Sequence, residues 1–252
     1  MLNNIPLLNK PALFELLSQR FYTQDKKLSQ IPNPALLQDA TKAAKKIAEA
    51  IRKNKKITIV GDYDVDGVSS SAIMVDFFRQ IPYPLDAIIP NRFSDGYGVS
   101  PTVLERIETD LIITVDNGIS AYEAAEICKQ REIELIITDH HTPSDTLPDA
   151  YAIVDPKLST CAYPFKEICG AQVAWLLLAL VKKELSLNID MKQFLDILAI
   201  AIIADIMPLI DINRTLVKEG LKVLMNSNRP ASIIIRDFLN RSCISSEDIA
   251  FQ

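Results

Sequence analysis

The sequence predicts an α/β fold in which a mostly parallel, five-stranded sheet is sandwiched between helices. From residue 57 onward, short β-branched runs alternate with segments of helical periodicity. Such alternation is typical of parallel sheets that helices cover on both faces. The chain has 252 residues, 48% of them apolar, so it can bury a substantial core.

The elements follow from these runs in chain order. Apolar β-branched runs predict strands at 57–60, 86–90, 111–115, 135–138 and 152–154. Helical periodicity between and after them predicts helices at 68–80, 100–108, 120–130, 170–185, 191–206 and 213–226. Residues 1–55 are predicted to form a helical preface. The longest apolar runs are too short to cross a bilayer and the N-terminus lacks secretory features, so we expect a cytoplasmic protein.

Charge and cysteine content narrow the function classes. The net charge of −5 gives the chain no overall basic surface for nucleic acid, which argues against strong DNA affinity in this chain alone. The basic stretch at 45–56 is interpreted as the solvated face of an amphipathic helix. The four cysteines include no CxxC pair, so we expect reduced, mostly buried thiols and no zinc site built on them.

The segment "GDYDVDG" (61–67) places three aspartates at alternate positions directly after the first predicted strand. Carboxylates this close raise one another's pKa and oppose folding unless a cation lies among them. An EF-hand loop is excluded, because its twelfth position would be Ile73 instead of glutamate and a strand precedes it instead of a helix. A polar turn at a helix N-terminus would explain one or two of the aspartates but not three. The pattern therefore favours a metal site.

Further acids follow the other predicted strands. Asp116, Asp139 and Asp155 stand directly after the third, fourth and fifth strands. The carboxyl ends of parallel strands share one edge of the sheet, and ligands bind in the crevice there. These carboxylates are therefore predicted to meet the aspartates of the 61–67 segment.

Two histidines and a lone acid extend this set. His140 and His141 are adjacent, so one side chain can bind metal while the other faces a substrate; hydrogen-bonded structural histidines are the alternative. Asp205 lies in a helix predicted to be apolar on nearly every side. A buried carboxylate there needs a partner, which is a metal, an arginine or a helix cap.

Two weaker features concern phosphate and packing. Asn91 and Arg92 follow the second strand, where Arg92 could clamp a phosphate; an ordinary surface loop containing Asp95 is the alternative. Gly170 begins a buried helix and is interpreted as a close-packing residue.

Several of these segments together resemble the motifs of the DHH phosphoesterases, and within that superfamily those of the RecJ-type bacterial exonucleases. The resemblance runs from about residue 55 to the end, and the motifs occur in the same order and with similar spacing: "GDYDVDG", "PNRFSDGYGVS", "ITVDNGIS", "IITDHHTP" and "LAIAIIADIMPLIDINRTLVKEGL".

The resemblance implies a catalytic domain that binds two manganese or magnesium ions and degrades single-stranded DNA from the 5′ end to mononucleotides, in DNA repair and recombination. It implies these metal ligands: Asp64, Asp66, Asp116, His140 and Asp205, with Asp116 bridging; Asp62 is a further candidate. His141 would face the scissile phosphate and Asp139 would orient its neighbours. Arg92 and Asn91 are the candidates for further phosphate contacts because of their place after the second strand. A single-stranded-DNA-binding protein or a helicase is the implied protein partner.

The chain departs from that family at its C-terminal end, where the resemblance implies a second domain and an oligonucleotide-binding module. We therefore expect a helical extension at 1–55, a catalytic domain at 56–226 and the start of a connection to an absent domain at 227–252. Two alternatives stay open: a phosphodiesterase for short oligonucleotides or dinucleotides, and a truncated, non-catalytic binding module. The complete set of acids and histidines argues against the second alternative, because a binding module has no need of buried charges.

Overall fold

The computed structural model describes residues 9–21 and 26–251. Ten α-helices and five strands follow one another within these residues: α1 (Lys10–Phe21), α2 (Ala40–Arg52), β1 (Ile57–Val60), α3 (Val65–Phe78), β2 (Asp86–Ile88), α4 (Pro101–Leu104), β3 (Leu111–Val115), α5 (Tyr122–Gln130), β4 (Glu134–Thr138), β5 (Ala152–Val154), α6 (Gly170–Glu184), α7 (Leu195–Ala204), α8 (Asp211–Asn226), α9 (Pro230–Leu239) and α10 (Ser246–Phe251). Short 3₁₀ turns lie at Leu28–Gln30, Pro34–Leu36 and Met191–Phe194.

All five strands are parallel and lie in the order β2-β1-β3-β4-β5. Ile59 of β1 lies opposite Ala87 of β2 on one side and Ile113 of β3 on the other. The chain thus moves from β1 outward to β2 and then crosses to β3 on the opposite side of β1. In open parallel sheets this change of direction creates a crevice between the two strands, here β1 and β3. The predicted fold class is confirmed.

The strand predicted at 86–90 ends at Ile88, and three predicted helices differ from the structure by three residues or more at one end. The helix predicted at 68–80 begins three residues earlier, because Asp64 accepts a hydrogen bond from the amide of Gly67 and so caps α3. The segment predicted as one helix at 191–206 is a 3₁₀ turn followed by α7, which ends at Ala204. The helix predicted at 100–108 is confined to the four residues of α4.

The helical preface is only partly described, since residues 1–8 and 22–25 lie outside the described residues. Within it, α2 buries Ala43, Ala44 and Ile47 in the same core as the sheet and packs against β5 and α6. Lys45 and Arg52 lie on its outer face, as the sequence predicts. No helix among the described residues is long and apolar enough to span a membrane.

Candidate metal centre

The loop after β1 carries three aspartates in three different settings. Asp62 is 2% exposed, and its Oδ1 accepts a hydrogen bond from the amide of Tyr63 at 2.7 Å. Burial raises the pKa of Asp62, and the charge of Asp64 adds to the rise. Asp64 is exposed and caps α3 through the amide of Gly67 at 2.9 Å. Asp64 is therefore the cap of α3, Asp62 lies in the loop before it and Asp66 lies in the helix after it.

Asp66, the third aspartate, lies in the first turn of α3 and is buried. Its two carboxylate oxygens accept hydrogen bonds from the main-chain amides of Gly170 and Ala171, at 2.5 and 3.0 Å. These amides belong to the first turn of α6, so Asp66 connects the N-termini of two helices. The partial positive charge of a helix N-terminus stabilises a carboxylate in this place.

Asp116 follows β3 with a φ of 64°, in the left-handed region. Asp and Asn tolerate this conformation better than most residues, although it still costs about 1 kcal/mol or more. Its carboxylate is 1% exposed, and neither oxygen has a hydrogen-bond partner within the described part of the chain. Burial, together with the charges of Asp66 and Asp64, raises the pKa of Asp116 to about 11. A cation bound here would offset the unfavourable free energy of burying the Asp116 carboxylate.

The two histidines after β4 face different partners. His140 is 4% exposed, and its Nε2 lies 3.2 Å from Asp116 Oδ1 and 3.6 Å from Asp66 Oδ2. Burial lowers the pKa of His140, which favours the neutral imidazole that metals require. The side chain of His141 is 48% exposed, and its Nδ1 lies 2.7 Å from Asp139 Oδ1. Adjacent histidines therefore take separate positions, one inside the acid cluster and one at its rim.

Asp139 forms hydrogen bonds with the main chain of both histidines and with the ring of His141. Its carboxylate accepts hydrogen bonds from the main-chain amides of Ile119, His140 and His141. Burial would raise the pKa of Asp139, but the hydrogen bond and charge of His141 and these amides hold it below its usual range. The hydrogen bond to Asp139 raises the pKa of His141 in turn.

Asp205 joins the cluster from α7, although not in the way that the sequence predicts. It does not lie inside a buried helix: it is the residue directly after Ala204, where α7 ends, and its side chain is 26% exposed. The C-terminal end of a helix carries partial negative charge, so a carboxylate there is additionally disfavoured. Its Oδ2 lies 3.6 Å from His140 Nε2, and burial raises the pKa of Asp205 to about 7.

Three overlapping groups of potential ligand atoms result, with the atoms of each within 4.8 Å of one another: Asp62, Asp64 and Asp116; Asp116, His140 and His141; and Asp66, His140 and Asp205. Asp116 belongs to two groups and lies between the acids of the first loop and the histidines. Buried oxygens of Asp116 and Asp205 without partners are the atoms that a cation would satisfy. Two of the three groups hold at most one imidazole beside carboxylate oxygens, a set that suits manganese or magnesium.

Two predicted phosphate-binding residues lie outside these groups. Arg92 is exposed, and its guanidinium lies 5.4 Å from the centre of the Tyr63 ring. The side-chain oxygen of Asn91 accepts hydrogen bonds from the amides of Phe93 and Ser94, which gives Asn91 a role in shaping its own turn. Asp95 pairs with Arg106 and not with Arg92.

Gly170 is a close-packing residue, as predicted, and the side chain that packs against it is Asp116 of the metal centre. A Cβ added at Gly170 would lie 2.5 Å from Asp116 Oδ1.

Sequence reasoning missed two residues that hold the site together. The amide group of Asn117 donates to the carbonyls of Val60 and Val115, and its oxygen accepts from the amide of Val99. It therefore joins the ends of β1 and β3 to the loop after β2. Tyr97 donates from its hydroxyl to the carbonyl of Asp116 at 3.3 Å. Both residues lie inside the motifs quoted above, but only the folded chain reveals their contacts.

Comparison with known proteins places this geometry in a family. The model of the DHH family, N-terminal domain, matches residues 56–202. The single-stranded-DNA-specific exonuclease RecJ of Bacillus subtilis is 41% identical over 200 residues, which cover 78% of this chain and 25% of that protein. RecJ of Haemophilus influenzae is 38% identical over 242 residues, covering 90% and 42%. The chain thus spans less than half the length of these curated relatives.

Solved structures agree with the sequence matches. A crystal structure of the exonuclease RecJ bound to manganese matches with a TM-score of 0.77 and 35% identity, over 85% of this chain and 55% of that one. RecJ from Thermus thermophilus in complex with Mn²⁺ matches with a TM-score of 0.72 and 33% identity, over 88% and 32%. The family model covers more than half of the chain and includes the five strands, both histidines and the acids of the site except Asp205, so the chain belongs to the DHH family.

Proposed function

We propose that this chain is the catalytic part of a metal-dependent phosphodiesterase that hydrolyses single-stranded DNA from its 5′ end and releases mononucleotides. The observation that supports this most is the overlap of three ligand groups at Asp116 and His140, with carboxylate oxygens that lack partners. Similarity to relatives named single-stranded-DNA-specific exonucleases supports the substrate, and we propose with it a role in repair and recombination. All four cysteines are free and three of them are buried, which suits the reducing cytoplasm, where we propose that the chain works.

We assign two divalent ions to the overlapping groups, manganese or magnesium, in keeping with RecJ structures that hold Mn²⁺ or Mg²⁺. The following residues would hold them: Asp64, Asp66, Asp116, His140 and Asp205, with Asp62 beside Asp116 as a further ligand. When bound, such ions lower the pKa of a water molecule and neutralise charge on the phosphate and on the leaving oxygen. Asp116 would bridge, because it belongs to two of the groups and both of its carboxylate oxygens lack partners among the described residues.

His141 and Asp139 form the proton-handling pair of this proposal. Nδ1 of His141 is taken by Asp139, so Nε2 is the nitrogen left for a substrate. The raised pKa of His141 favours the imidazolium, which donates a hydrogen bond to a phosphate oxygen. Asp139 fixes the orientation of the His141 ring and does not itself contact the reacting atoms.

Arg92 and Asn91 would bind the phosphate backbone next to the metal centre. Arg92 pairs with none of the acids in the described ranges 9–21 and 26–251, and its planar guanidinium matches phosphate oxygens. Since the oxygen of Asn91 is engaged in its turn, Asn91 would offer its amide nitrogen. Tyr63, which underlies Arg92, limits the directions in which that guanidinium can point.

The test is manganese-dependent release of nucleotides from single-stranded DNA labelled at the 5′ or the 3′ end, with a long strand compared with a short oligomer. Asp205→Ala removes one proposed ligand, and Asp237→Ala removes an acid of α9, outside the ligand groups, as a matched control. Thermal unfolding with and without manganese is measured on all three proteins, since a ligand that binds the folded state stabilises it.

We expect manganese to stabilise the wild type and Asp237→Ala but not Asp205→Ala, and we expect cleavage from the 5′ end in the same two proteins. Cleavage of the short oligomer alone would replace the proposal with the oligonucleotide phosphodiesterase. Absence of both stabilisation and cleavage in the wild type would contradict a metal-dependent enzyme and favour a binding module.

A further inference from the structure

The first turn of α6 contacts two of the proposed metal ligands at once. The amides of Gly170 and Ala171 donate to the two oxygens of Asp66, at 2.5 and 3.0 Å. Asp116 lies against the same turn, so close that a Cβ on Gly170 would be 2.5 Å from its Oδ1 and 2.6 Å from its Cβ. Asp66 and Asp116 are distant in sequence, and both rest on this one turn.

The carboxylates of Asp66 and Asp116 differ in the hydrogen-bond donors that the protein provides for them. Both oxygens of Asp66 have main-chain donors, whereas both oxygens of Asp116 are buried and have no partner within the described part of the chain. Hydrogen bonds from two successive amides of a helix N-terminus fix the direction of a carboxylate. Asp66 therefore presents its remaining lone pairs in a set direction before any cation arrives, while Asp116 is left to the cation.

We propose that Gly170 and Ala171 are positioning residues of the metal centre: their amides hold Asp66 in its ligand orientation, and the missing side chain of Gly170 leaves room for Asp116. This inference rests on the proposed metal site and adds a part of the chain that does not touch the ions. α6 is a long helix of 15 residues, and most of it is buried in the core. Its N-terminus is thus held rigidly, as a positioning element requires.

Two substitutions separate the two parts of this proposal. Gly170→Ala adds a Cβ against Asp116 and keeps both amides. Ala171→Pro replaces the amide hydrogen directed at Asp66 with the ring carbon Cδ, so it removes one donor and displaces that carboxylate oxygen, and it adds no atom to Gly170 beside Asp116. Proline is tolerated in the first turn of a helix. Ala171→Gly, which keeps the amide, is the conservative control for the proline variant.

A control for simple destabilisation comes from the far end of the same helix. Val181→Ala creates a cavity in the core about 16 Å along α6 from Gly170. It lowers the stability of α6 without touching a proposed ligand. A loss of metal binding that follows from instability alone would therefore occur in Val181→Ala as well.

The experiment measures the manganese dissociation constant and the stoichiometry on folded protein at a temperature well below unfolding, together with the EPR spectrum of the bound ions. We expect Gly170→Ala to weaken binding by at least about tenfold and to change the spectrum, and Ala171→Pro to weaken it by about tenfold. Ala171→Gly and Val181→Ala should stay within about threefold of the wild type. Loss of a group that forms a hydrogen bond with a metal ligand typically weakens metal affinity by about ten- to a hundredfold.

The results that would overturn the inference are distinct from those that would overturn the proposed function. If the wild type binds no manganese, the metal site itself is wrong. If it binds two ions and folded Gly170→Ala and Ala171→Pro bind as tightly with the same spectrum, the positioning role is wrong although the site is right.

Should neither variant fold, the wild type provides the answer through the NMR resonances of the Gly170 and Ala171 amides during a magnesium titration. A shift of both resonances that saturates with metal binding supports the role. Unchanged resonances overturn it.

Discussion

Asp155, at the end of β5, is a buried acid that the proposed metal centre does not use. It is 0% exposed, its Oδ1 accepts a hydrogen bond from the amide of Lys157, and its Oδ2 has no partner among the described residues. Burial raises its pKa from 3.8 to about 7; the charge of Asp139 adds to the rise, and Lys157 and His141 oppose it. We predict that Asp155→Asn makes the metal-free protein more stable at high pH.

The sign follows from the two ionisation states. The unfolded chain loses the proton of Asp155 near its ordinary pKa of 3.8, whereas the folded chain keeps it to about pH 7. The folded state therefore loses stability relative to the unfolded state as the pH rises through this window. A difference of about 3 pKa units corresponds to roughly 4 kcal/mol across the whole window, and about 3 kcal/mol of it falls between about pH 5 and pH 8. Asparagine cannot ionise, so its variant escapes this loss.

The assay is urea unfolding in EDTA of the wild type and Asp155→Asn at several pH values. The variant should gain about 3 kcal/mol in unfolding free energy relative to the wild type between about pH 5 and pH 8, whatever the constant offset from the new amide. Its manganese affinity should match that of the wild type, because Asp155 belongs to none of the three ligand groups. A difference between the two proteins that does not change with pH would refute the reasoning.

Three other substitutions test the surroundings of the site. Asn117→Ala leaves three main-chain groups without partners and should lower the unfolding free energy by about 3 kcal/mol, measured by urea unfolding; a loss under about 1 kcal/mol would contradict its joining role. His141→Ala should reduce turnover by roughly a hundredfold or more with unchanged manganese affinity, whereas weakened manganese binding would make His141 a ligand. Arg92→Ala should raise KM for single-stranded DNA about tenfold and leave manganese affinity unchanged, and an unchanged KM would remove Arg92 from the phosphate contacts.

The sheet could be predicted closely because its signals are local. Strands β3 and β5 have the predicted bounds, since β-branched runs end where an aspartate begins the next loop. The convergence of Asp116 and Asp139 on one edge also follows from the sequence, because parallel strands place all their carboxyl ends together. The prediction of a parallel sheet was therefore enough to place acids that are distant in sequence in one site.

Contacts that depend on tertiary packing could not be predicted. The helix periodicity around Asp205 continues to residue 206, but α7 ends one residue before Asp205, which makes the acid a cap residue instead of a buried one. Asn91 has the residue type of a phosphate ligand, yet its oxygen closes a local turn. The link from α6 to Asp66 joins residues 104 positions apart, and no spacing rule indicates it.

The acids of the crevice differ in how many main-chain amides donate a hydrogen bond to each one. Asp139 accepts three, and its pKa lies below the usual range. Asp62 and Asp155 accept one each, and burial raises the pKa of both. Within the described part of the chain, Asp116 accepts none, and Oδ2 of Asp205 accepts none; burial raises their pKa values to about 11 and about 7.

Asp139, which supports the histidines, thus receives three main-chain amides, whereas both oxygens of Asp116 and Oδ2 of Asp205 have no hydrogen-bond partner among the described residues. A carboxylate left in this state opposes folding unless positive charge comes from outside the chain. Stabilisation by manganese should therefore be concentrated in these two residues. Loss of either one should remove most of the metal-dependent rise in unfolding temperature, whereas loss of Asp155 should leave that rise intact.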